Sequence, residues 1–263
     1  MSIRITLIGT GVAIPQPHRV QSGVLVELGD LTSPEFSVLF DCGSGVLPRL
    51  TGFTDCTAIK QVFLTHLHLD HVADVMSLIK AKWLCESYDL AIYGPSGTDE
   101  WLARVFDAYP YMNDRVRINV TELADQDRVS IGKFEIVCAE TIHALPSLGY
   151  GIVDERGQVR AVYTGDTEPC ESIKMLCDGA DILIHECSFP DSVPDVTNHT
   201  TPRAFGEMFG SVSVARIILT HLYPHTMGFE DEMVETVRKY CSGCDVAIGR
   251  DMETVTLQNL MVP

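Results

Sequence analysis

Three histidines and one aspartate lie within six residues of the chain, in the stretch His66-Leu-His68-Leu-Asp70-His71. Imidazole nitrogens and carboxylate oxygens are ligands that zinc-like ions bind well. The stretch follows the apolar run QVFLT, which predicts a strand, and alternation along an extended chain points His66 and His68 the same way. These two residues could therefore bind one ion.

A turn after this strand predicts that Asp70 and His71 point elsewhere, where they could serve a second ion a few ångströms from the first. Four side chains cannot saturate two ions, so further ligands have to come from other parts of the chain. Three candidates follow other predicted strands: His143 after FEIVCA, Asp166 after AVYTG and His221 after RIILT. Strand ends lead into loops, which can project such side chains into one common site.

The elements that position these residues are short apolar strands and amphipathic helices. Helices are predicted at residues 72–87, 97–109, 170–179, 201–211 and 229–242. Thr201 is a predicted helix cap, because Pro202 follows it in the first turn. Strands are predicted for the runs ITLIGTG, GVLVELG, FSVLFDCG, QVFLTH, LAIYGP, RINVTEL, FEIVCAE, AVYTGD, ILIHEC, RIILTH, DVAIGRD and VTLQNLM.

The domain organisation follows from the order of these elements. No low-complexity linker divides the chain, and the tetrapeptide LTHL occurs both at 64–67 and at 219–222. We therefore predict a single domain, residues 1–263, built from two similar β-rich halves that pack face to face with helices outside. This is an α/β fold of four layers, an αββα sandwich.

The composition restricts the partners and the compartment. The chain has 19 Lys+Arg against 36 Asp+Glu, a net charge of −17, which is the wrong sign for neutralising the phosphates of a long nucleic acid. A small anionic substrate drawn to a metal centre is the expected partner. The sequence shows no signal peptide and no apolar stretch of about 18 residues. We therefore expect a cytoplasmic protein without a membrane partner, and the nine scattered cysteines suit that reducing compartment.

Eight short motifs run along nearly the whole chain: GTG at 9–11, FDCGSG at 40–45, THLHLDH at 65–71, HALPSLGY at 143–150, TGDT at 164–167, HECSF at 185–189, NHTTP at 198–202 and THLYP at 220–224. In content and order they resemble the metallo-β-lactamase-fold hydrolases. The histidine-aspartate signature is typical of that superfamily. The motifs HECSF and NHTTP narrow the resemblance to its ribonuclease Z-like branch.

The resemblance implies a dinuclear centre with two Zn²⁺ per chain, and manganese or iron are alternatives that the sequence leaves open. Two such ions would present a bridging hydroxide in line with a phosphoryl centre. Seven ligands are implied, three for the first ion, three for the second and one that bridges them: His66, His68 and His143; Asp70, His71 and His221; and Asp166.

The resemblance also implies residues that act on the substrate. An acidic residue and the histidine of a His-Thr-Thr segment would lie beside the leaving group, so His199 is the general-acid candidate, together with Glu186. Capping or packing of the following helix is the alternative for His199. Asp70 is predicted to be catalytic as well as a ligand, and His185 to orient a ligand or a neighbour. Asp41 is expected only to shape a turn.

A zinc-dependent hydrolase of a small or short phosphodiester is the function that the resemblance favours. Relatives that process transfer RNA carry an extra arm between the equivalents of His143 and Asp166, and here only residues 144–165 lie between them. Gly151 also stands where those relatives commonly have arginine. The alternatives are an aryl sulfatase or lactonase, a transfer RNA 3′-processing endonuclease, and a metal-containing binding or carrier protein without turnover. The resemblance further implies a homodimer.

Overall fold

The computed structural model describes residues 2–258, which form two compact units. Unit 1 comprises residues 2–13, His18–Leu123 and 251–258. Unit 2 comprises Ile14–Pro17 and Ala124–Arg250. No helix in the described part of the chain is long and apolar enough to cross a bilayer.

Unit 1 contains one sheet and four α-helices. Its strands are β1 (Ser2–Gly9), β2 (Gly23–Asp30), β3 (Ser33–Phe40), β4 (Ile59–Phe63), β5 (Asp89–Gly94), β6 (Arg117–Glu122) and β14 (Glu253–Gln258). Its helices are α1 (Val46–Leu50), α2 (Leu69–Val72), α3 (Val75–Leu84) and α4 (Thr98–Ala108), with short 3-10 turns at Cys56–Ala58 and Pro110–Met112. The strand order is β14-β1-β2-β3-β4-β5-β6.

Unit 2 contains a second sheet and three α-helices. Its strands are β7 (Arg128–Ile131), β8 (Phe134–Glu140), β9 (Leu148–Val153), β10 (Val159–Tyr163), β11 (Ile182–Glu186), β12 (Arg216–Thr220) and β13 (Asp245–Ile248). Its helices are α5 (Glu171–Cys177), α6 (Pro202–Phe209) and α7 (Glu230–Tyr240), with a 3-10 turn at Pro224–Thr226. The strand order is β13-β12-β11-β10-β9-β8-β7.

The two sheets share one pattern of strand directions. In unit 1 the pairs from β14 to β3 are antiparallel, and those from β3 to β6 are parallel. In unit 2 the pairs from β7 to β10 are antiparallel, and those from β10 to β13 are parallel. In each sheet, therefore, three antiparallel pairs are followed by three parallel pairs.

Each unit has its own apolar core between its sheet and its helices. In unit 1, Val62 and Leu64 meet Leu78 and Ile79 of α3 and Leu102 of α4, all buried. The equivalent core of unit 2 joins the strand residues Leu183 and Ile217 to Phe205 of α6 and to Met233 and Val237 of α7. Burial of these side chains is the main force that holds each helix layer on its sheet.

Helices are present at all five predicted places, and four of them have shorter bounds than predicted. The predicted helix 72–87 begins earlier, as α2, and breaks before α3 at Asp74, whose carboxylate accepts hydrogen bonds from the amides of Gly45 and Leu47. Thr201 caps α6 as predicted, since its hydroxyl oxygen accepts from the amide of Ala204 at 3.4 Å.

All twelve predicted strands are observed, although residues 259–261 of VTLQNLM lie outside the described residues. The sequence failed to predict β7, a strand of four residues at a sheet edge, and β9. Glycines interrupt the pattern of β9 because α5 packs closely on it. A Cβ at Gly149 would lie 2.5 Å from Ile173 Cδ1, and one at Gly151 would lie 2.9 Å from Leu176 Cδ1.

The cysteines behave as small apolar side chains. All nine lie within residues 2–258 as free thiols, and seven are buried. Burial raises the pKa of Cys42 and Cys187 well above the usual range, so these thiols stay protonated. In the CxxC pair, burial raises the pKa of Cys241 to about 11.

One carboxylate, that of Asp251, links the C-terminal segment of unit 1 to other parts of this unit. Asp251 accepts hydrogen bonds from the amide of Thr10 at 2.9 Å, the hydroxyl of Thr10 at 2.5 Å and the amide of Val20 at 2.7 Å. It also forms an ion pair with Arg49, and only 5% of its side chain is exposed. Because the removal of one partner from buried, charged hydrogen bonds is costly, we expect loss of this carboxylate to destabilise unit 1.

Asp251→Ala tests that contribution. It leaves the two backbone amides and the guanidinium without their acceptor, so we expect the free energy of unfolding to fall by about 3 kcal/mol. The control is Asp89→Ala, which breaks an exposed pair with Arg117 and should cost less than about 1 kcal/mol. Urea unfolding measures both, and equal losses would show that Asp251 is no more than a surface partner.

Candidate metal centre

His66 and His68 lie in the segment that follows β4, and their rings meet. His66 Nε2 is 2.9 Å from His68 Nδ1. The hydroxyl of Thr65 donates to Asp41 Oδ2 at 2.9 Å, so its oxygen can accept from His66 Nδ1 at 3.1 Å. This tautomer leaves the lone pair of His66 on Nε2, facing His68. Two ring nitrogens this close either share a proton or bind a common ion.

His71 is held by a buried carboxylate. Its Nδ1 donates to Asp41 Oδ2 at 2.7 Å, and both side chains are fully buried. The other oxygen of Asp41 accepts from the amide of Thr65 at 2.8 Å. Asp41 does adopt the left-handed turn conformation, with φ 57°, but it also fixes the His71 ring with Nε2 as the lone-pair nitrogen. The sequence-based expectation of a turn role alone was therefore incomplete.

Asp70 is positioned by backbone contacts. Its Oδ2 accepts from the amide of Ala13 at 2.9 Å. A Cβ at Gly43 would lie 2.0 Å from the carbonyl oxygen of Asp70, so only glycine fits against α2 at this point. The amide of Cys42 donates to the carbonyl of His71 at 2.7 Å. The loop after β3 thus fixes the first turn of the helix that carries both side chains.

Unit 2 brings together the three ligands predicted in it. His143 Nδ1 donates to the carbonyl of Asn198 at 2.9 Å, and its Nε2 lies 3.9 Å from Asp166 Oδ2. His221 Nδ1 lies 3.0 Å from Ser188 Oγ, and its Nε2 lies 3.3 Å from Asp166 Oδ1. In both rings the hydrogen-bonded Nδ1 leaves the Nε2 lone pair directed at the same carboxylate.

This arrangement fits a divalent cation. The side chains of His143, Asp166 and His221 are at most 3% exposed. Lone pairs of two imidazoles and a carboxylate repel one another in such a buried place unless a positive charge lies between them. Nitrogen and oxygen ligands of this kind suit zinc and similar ions. The residues present therefore fit the metal that the sequence implies.

Strained backbone marks several of these positions. Asp41, Asn198 and His221 have φ of 57°, 61° and 54°, a region that residues other than glycine seldom adopt. His221 directly follows β12, and Asp41 directly follows β3. The left-handed turn ends each strand abruptly and redirects the next side chain, which is a cost that binding sites commonly carry.

Glu186 is a buried anchor in unit 2. It is fully buried at the end of β11 and accepts hydrogen bonds from the amides of Thr167, Ser188 and Thr200. It also accepts from the Ser188 hydroxyl at 2.8 Å and from His199 Nδ1 at 2.8 Å. These bonds join three loops at one carboxylate and fix the orientation of the His199 ring.

His199 lies beside the unit 2 ligands. Ligand atoms of Asp166, His199 and His221 fall within 4.8 Å of one another, and the His199 ring lies 5.5 Å from those of both His143 and His221. Nδ1 of His199 is bonded to Glu186, so Nε2 is the nitrogen on the far side of the ring from that carboxylate, and 14% of the side chain is exposed. This histidine is therefore accessible from outside the ligand cluster.

His185 was expected to orient a ligand or a neighbour, and its ring nitrogen contacts the neighbouring residue Glu186. Its ring packs edge-on against Phe205 and Phe209 of α6, at 4.9 and 5.0 Å, on the helix side of the sheet. Its Nδ1 donates to the carbonyl of Glu186, and burial lowers its pKa, which keeps the ring neutral. Alternation along β11 points the side chains of His185 and Glu186 to opposite faces of the sheet.

The β-lactamase superfamily domain matches residues 37–222, a range that contains all seven predicted ligands. The chain belongs to this superfamily. A relative within it, ribonuclease Z of Archaeoglobus fulgidus, is 28% identical over 91% of this chain and 93% of its own length.

Solved structures of the superfamily resemble the whole chain. The metallo-β-lactamase fold protein YhfI of Bacillus subtilis is 25% identical, with a TM-score of 0.84 over 98% of this chain and 100% of its own. The short form of human tRNase Z (ELAC1) is 24% identical, with a TM-score of 0.75 over 96% of this chain and 98% of its own, which is a likeness of fold. The predicted αββα fold class and the predicted resemblance to the ribonuclease Z-like branch are thus confirmed.

Asp41→Asn tests the link between ring orientation and metal binding. An asparagine can donate a hydrogen bond from its NH₂ group to His71 Nδ1. The ring proton then lies on Nε2, which no longer offers a lone pair to an ion. We expect zinc affinity to fall by about 10- to 100-fold, the usual effect of losing a partner of a ligand histidine. Competition with a fluorescent chelator measures it.

The control is Asp55→Asn, an exposed residue that caps a 3-10 turn of the same unit. This variant makes the same change of charge and should bind zinc as the wild type does. Unchanged affinity in Asp41→Asn would contradict the orienting role of Asp41.

Proposed function

We propose that the chain is a metal-dependent phosphodiester hydrolase with a dinuclear zinc centre. The observation that carries the proposal is the set of buried histidines whose Nδ1 atoms are bonded to oxygen acceptors, which leaves Nε2 for an ion. The proposed ligands are the seven predicted ones: His66, His68, Asp70, His71, His143, Asp166 and His221. The name ribonuclease Z, which the relative from Archaeoglobus fulgidus carries, is that of a phosphodiester hydrolase.

Zinc suits this proposal because the donors are imidazoles and carboxylates without a thiolate. When bound, two such ions supply a water molecule activated at neutral pH and stabilise charge on the phosphoryl oxygens. Asp70 and Asp166 reduce the net charge of the centre from +4 to +2. That remaining positive charge attracts an anionic ester even though the whole chain is strongly acidic.

His199 is the proposed general acid. Its Nδ1 is bonded to Glu186, so a proton on Nε2 can pass to the oxygen of the leaving group, and the resulting neutral ring keeps the Nδ1 proton. Glu186 accepts five hydrogen bonds and is fully buried, so we assign it the positioning of His199 rather than proton transfer to substrate.

A small or short phosphodiester is the proposed substrate. The net charge of −17 and the short β9–β10 hairpin, with only residues 154–158 between its strands, support this choice. The ribonuclease Z names of the relatives weigh against the expectation that long nucleic acid is excluded. Precursor transfer RNA therefore belongs among the substrates to be tested.

A substrate panel tests the proposed activity. The zinc-loaded protein should hydrolyse bis(p-nitrophenyl) phosphate or a short nucleotide diester, and a chelator should abolish turnover. Aryl sulfate, a lactone and precursor transfer RNA complete the panel. Turnover of the sulfate or lactone without any phosphodiester would contradict the proposal, and bound zinc without any turnover would favour a binding protein.

Two substitutions separate metal binding from proton transfer. Asp166→Ala should lose bound zinc and activity together, because it removes the carboxylate shared by His143 and His221. His199→Ala should retain zinc and lower kcat by about 10²- to 10⁴-fold, the range of general acid catalysis. Metal analysis and steady-state kinetics measure both, and loss of zinc from His199→Ala would mean that this residue is a ligand.

A further inference from the structure

Two aromatic rings of unit 2 form a stacked pair beside His199. The rings of Phe189 and Tyr223 lie 4.4 Å apart with an interplanar angle of 26°. His199 meets both edge-on, at 5.8 and 5.6 Å. Both aromatic residues are only partly buried, and the exposed ring of His225 lies 5.5 Å from Phe189. We call Phe189 and Tyr223 the aromatic platform.

The platform is fixed to the loops that carry the site. The amide of Tyr223 donates to the carbonyl of Ser188, and the Ser188 hydroxyl lies 2.9 Å from the carbonyl of His221. Ser188 is also bonded to Glu186, which holds His199. The platform, the proposed general acid and one proposed ligand are therefore parts of one hydrogen-bonded structure, and they need not be ordered when a substrate binds.

Aromatic faces of this kind bind planar rings. A nucleobase stacked on an aromatic side chain gains about 1–3 kcal/mol, and the gain depends little on which base it is. The exposed imidazole of His225 adds a polar edge that can hydrogen-bond to such a ring. An alkyl ester offers no flat surface to the platform and would gain little from it.

We propose that the aromatic platform binds a nucleobase attached to the scissile phosphodiester, on the side of the leaving group next to His199. The substrate class is then a nucleotide diester, and the platform supplies specificity without taking part in proton transfer. This inference rests on the proposed function, since it places the phosphoryl group at the site beside His199.

Calorimetric titration of the zinc-loaded protein tests the platform with two probes, thymidine monophosphate and methyl phosphate. The wild type should bind the nucleotide between about 5- and 150-fold more tightly than methyl phosphate, as stacking of one base predicts. Phe189→Leu and Tyr223→Leu should reduce that ratio towards one, while methyl phosphate binds as before. Tyr223→Phe should keep the ratio, because it keeps the ring.

Tyr240→Leu is the matched control, since Tyr240 is a tyrosine of the same unit with 40% of its surface exposed, on α7. It should leave both affinities unchanged. Thermal unfolding and zinc content show that each variant is folded and loaded. A ratio that stays at the wild-type value in both leucine variants, or a wild-type ratio near one, overturns the inference.

Failure of the aromatic platform and failure of the proposed function give different experimental results. Hydrolysis of bis(p-nitrophenyl) phosphate together with an unchanged binding ratio overturns the platform alone. An affinity ratio that falls towards one in the leucine variants supports the platform even if the panel finds no phosphodiester turnover. In that case the proposed reaction is contradicted and the platform is not.

Discussion

An imidazole ring offers a metal one nitrogen only when the proton is confined to the other, and this constraint organises both units. In unit 1, Asp41 confines the proton of His71, and in unit 2 the carbonyl of Asn198 does so for His143. Each acceptor lies at a residue with left-handed backbone. In both units a residue with left-handed backbone thus supplies the oxygen that orients a histidine ring.

The sequence predicted the fold class and the strands well because both depend on local patterns. Apolar runs predicted twelve strands, and the spacing of histidine and aspartate indicated candidate metal ligands. The sequence failed where tertiary contacts decide. Gly149 and Gly151 interrupt the apolar pattern of β9, because α5 packs too closely on this strand to leave room for larger side chains. The hydrogen bond from His71 to Asp41 joins residues 30 positions apart. Neither contact can be predicted from the residue pattern of a single segment of the chain.

The repeated tetrapeptide LTHL does not result from the shared strand pattern of the two sheets. His66 follows β4, the fifth strand of its sheet when counted from the antiparallel edge, whereas His221 follows β12, the sixth strand of the other sheet. The two histidines therefore occupy positions that do not correspond. The match of the sheets lies in their strand directions, and it is independent of this sequence repeat.

The place of β14 has a consequence for biosynthesis. It occupies in unit 1 the edge position that β7 occupies in unit 2, yet it is the last strand within residues 2–258. Asp251, which binds Thr10, Val20 and Arg49, arrives with it. During translation the seven strands of unit 2 leave the ribosome before unit 1 receives its final strand and this carboxylate. The half that begins first is thus completed last, and a nascent chain released early would expose the unpaired edge of β1.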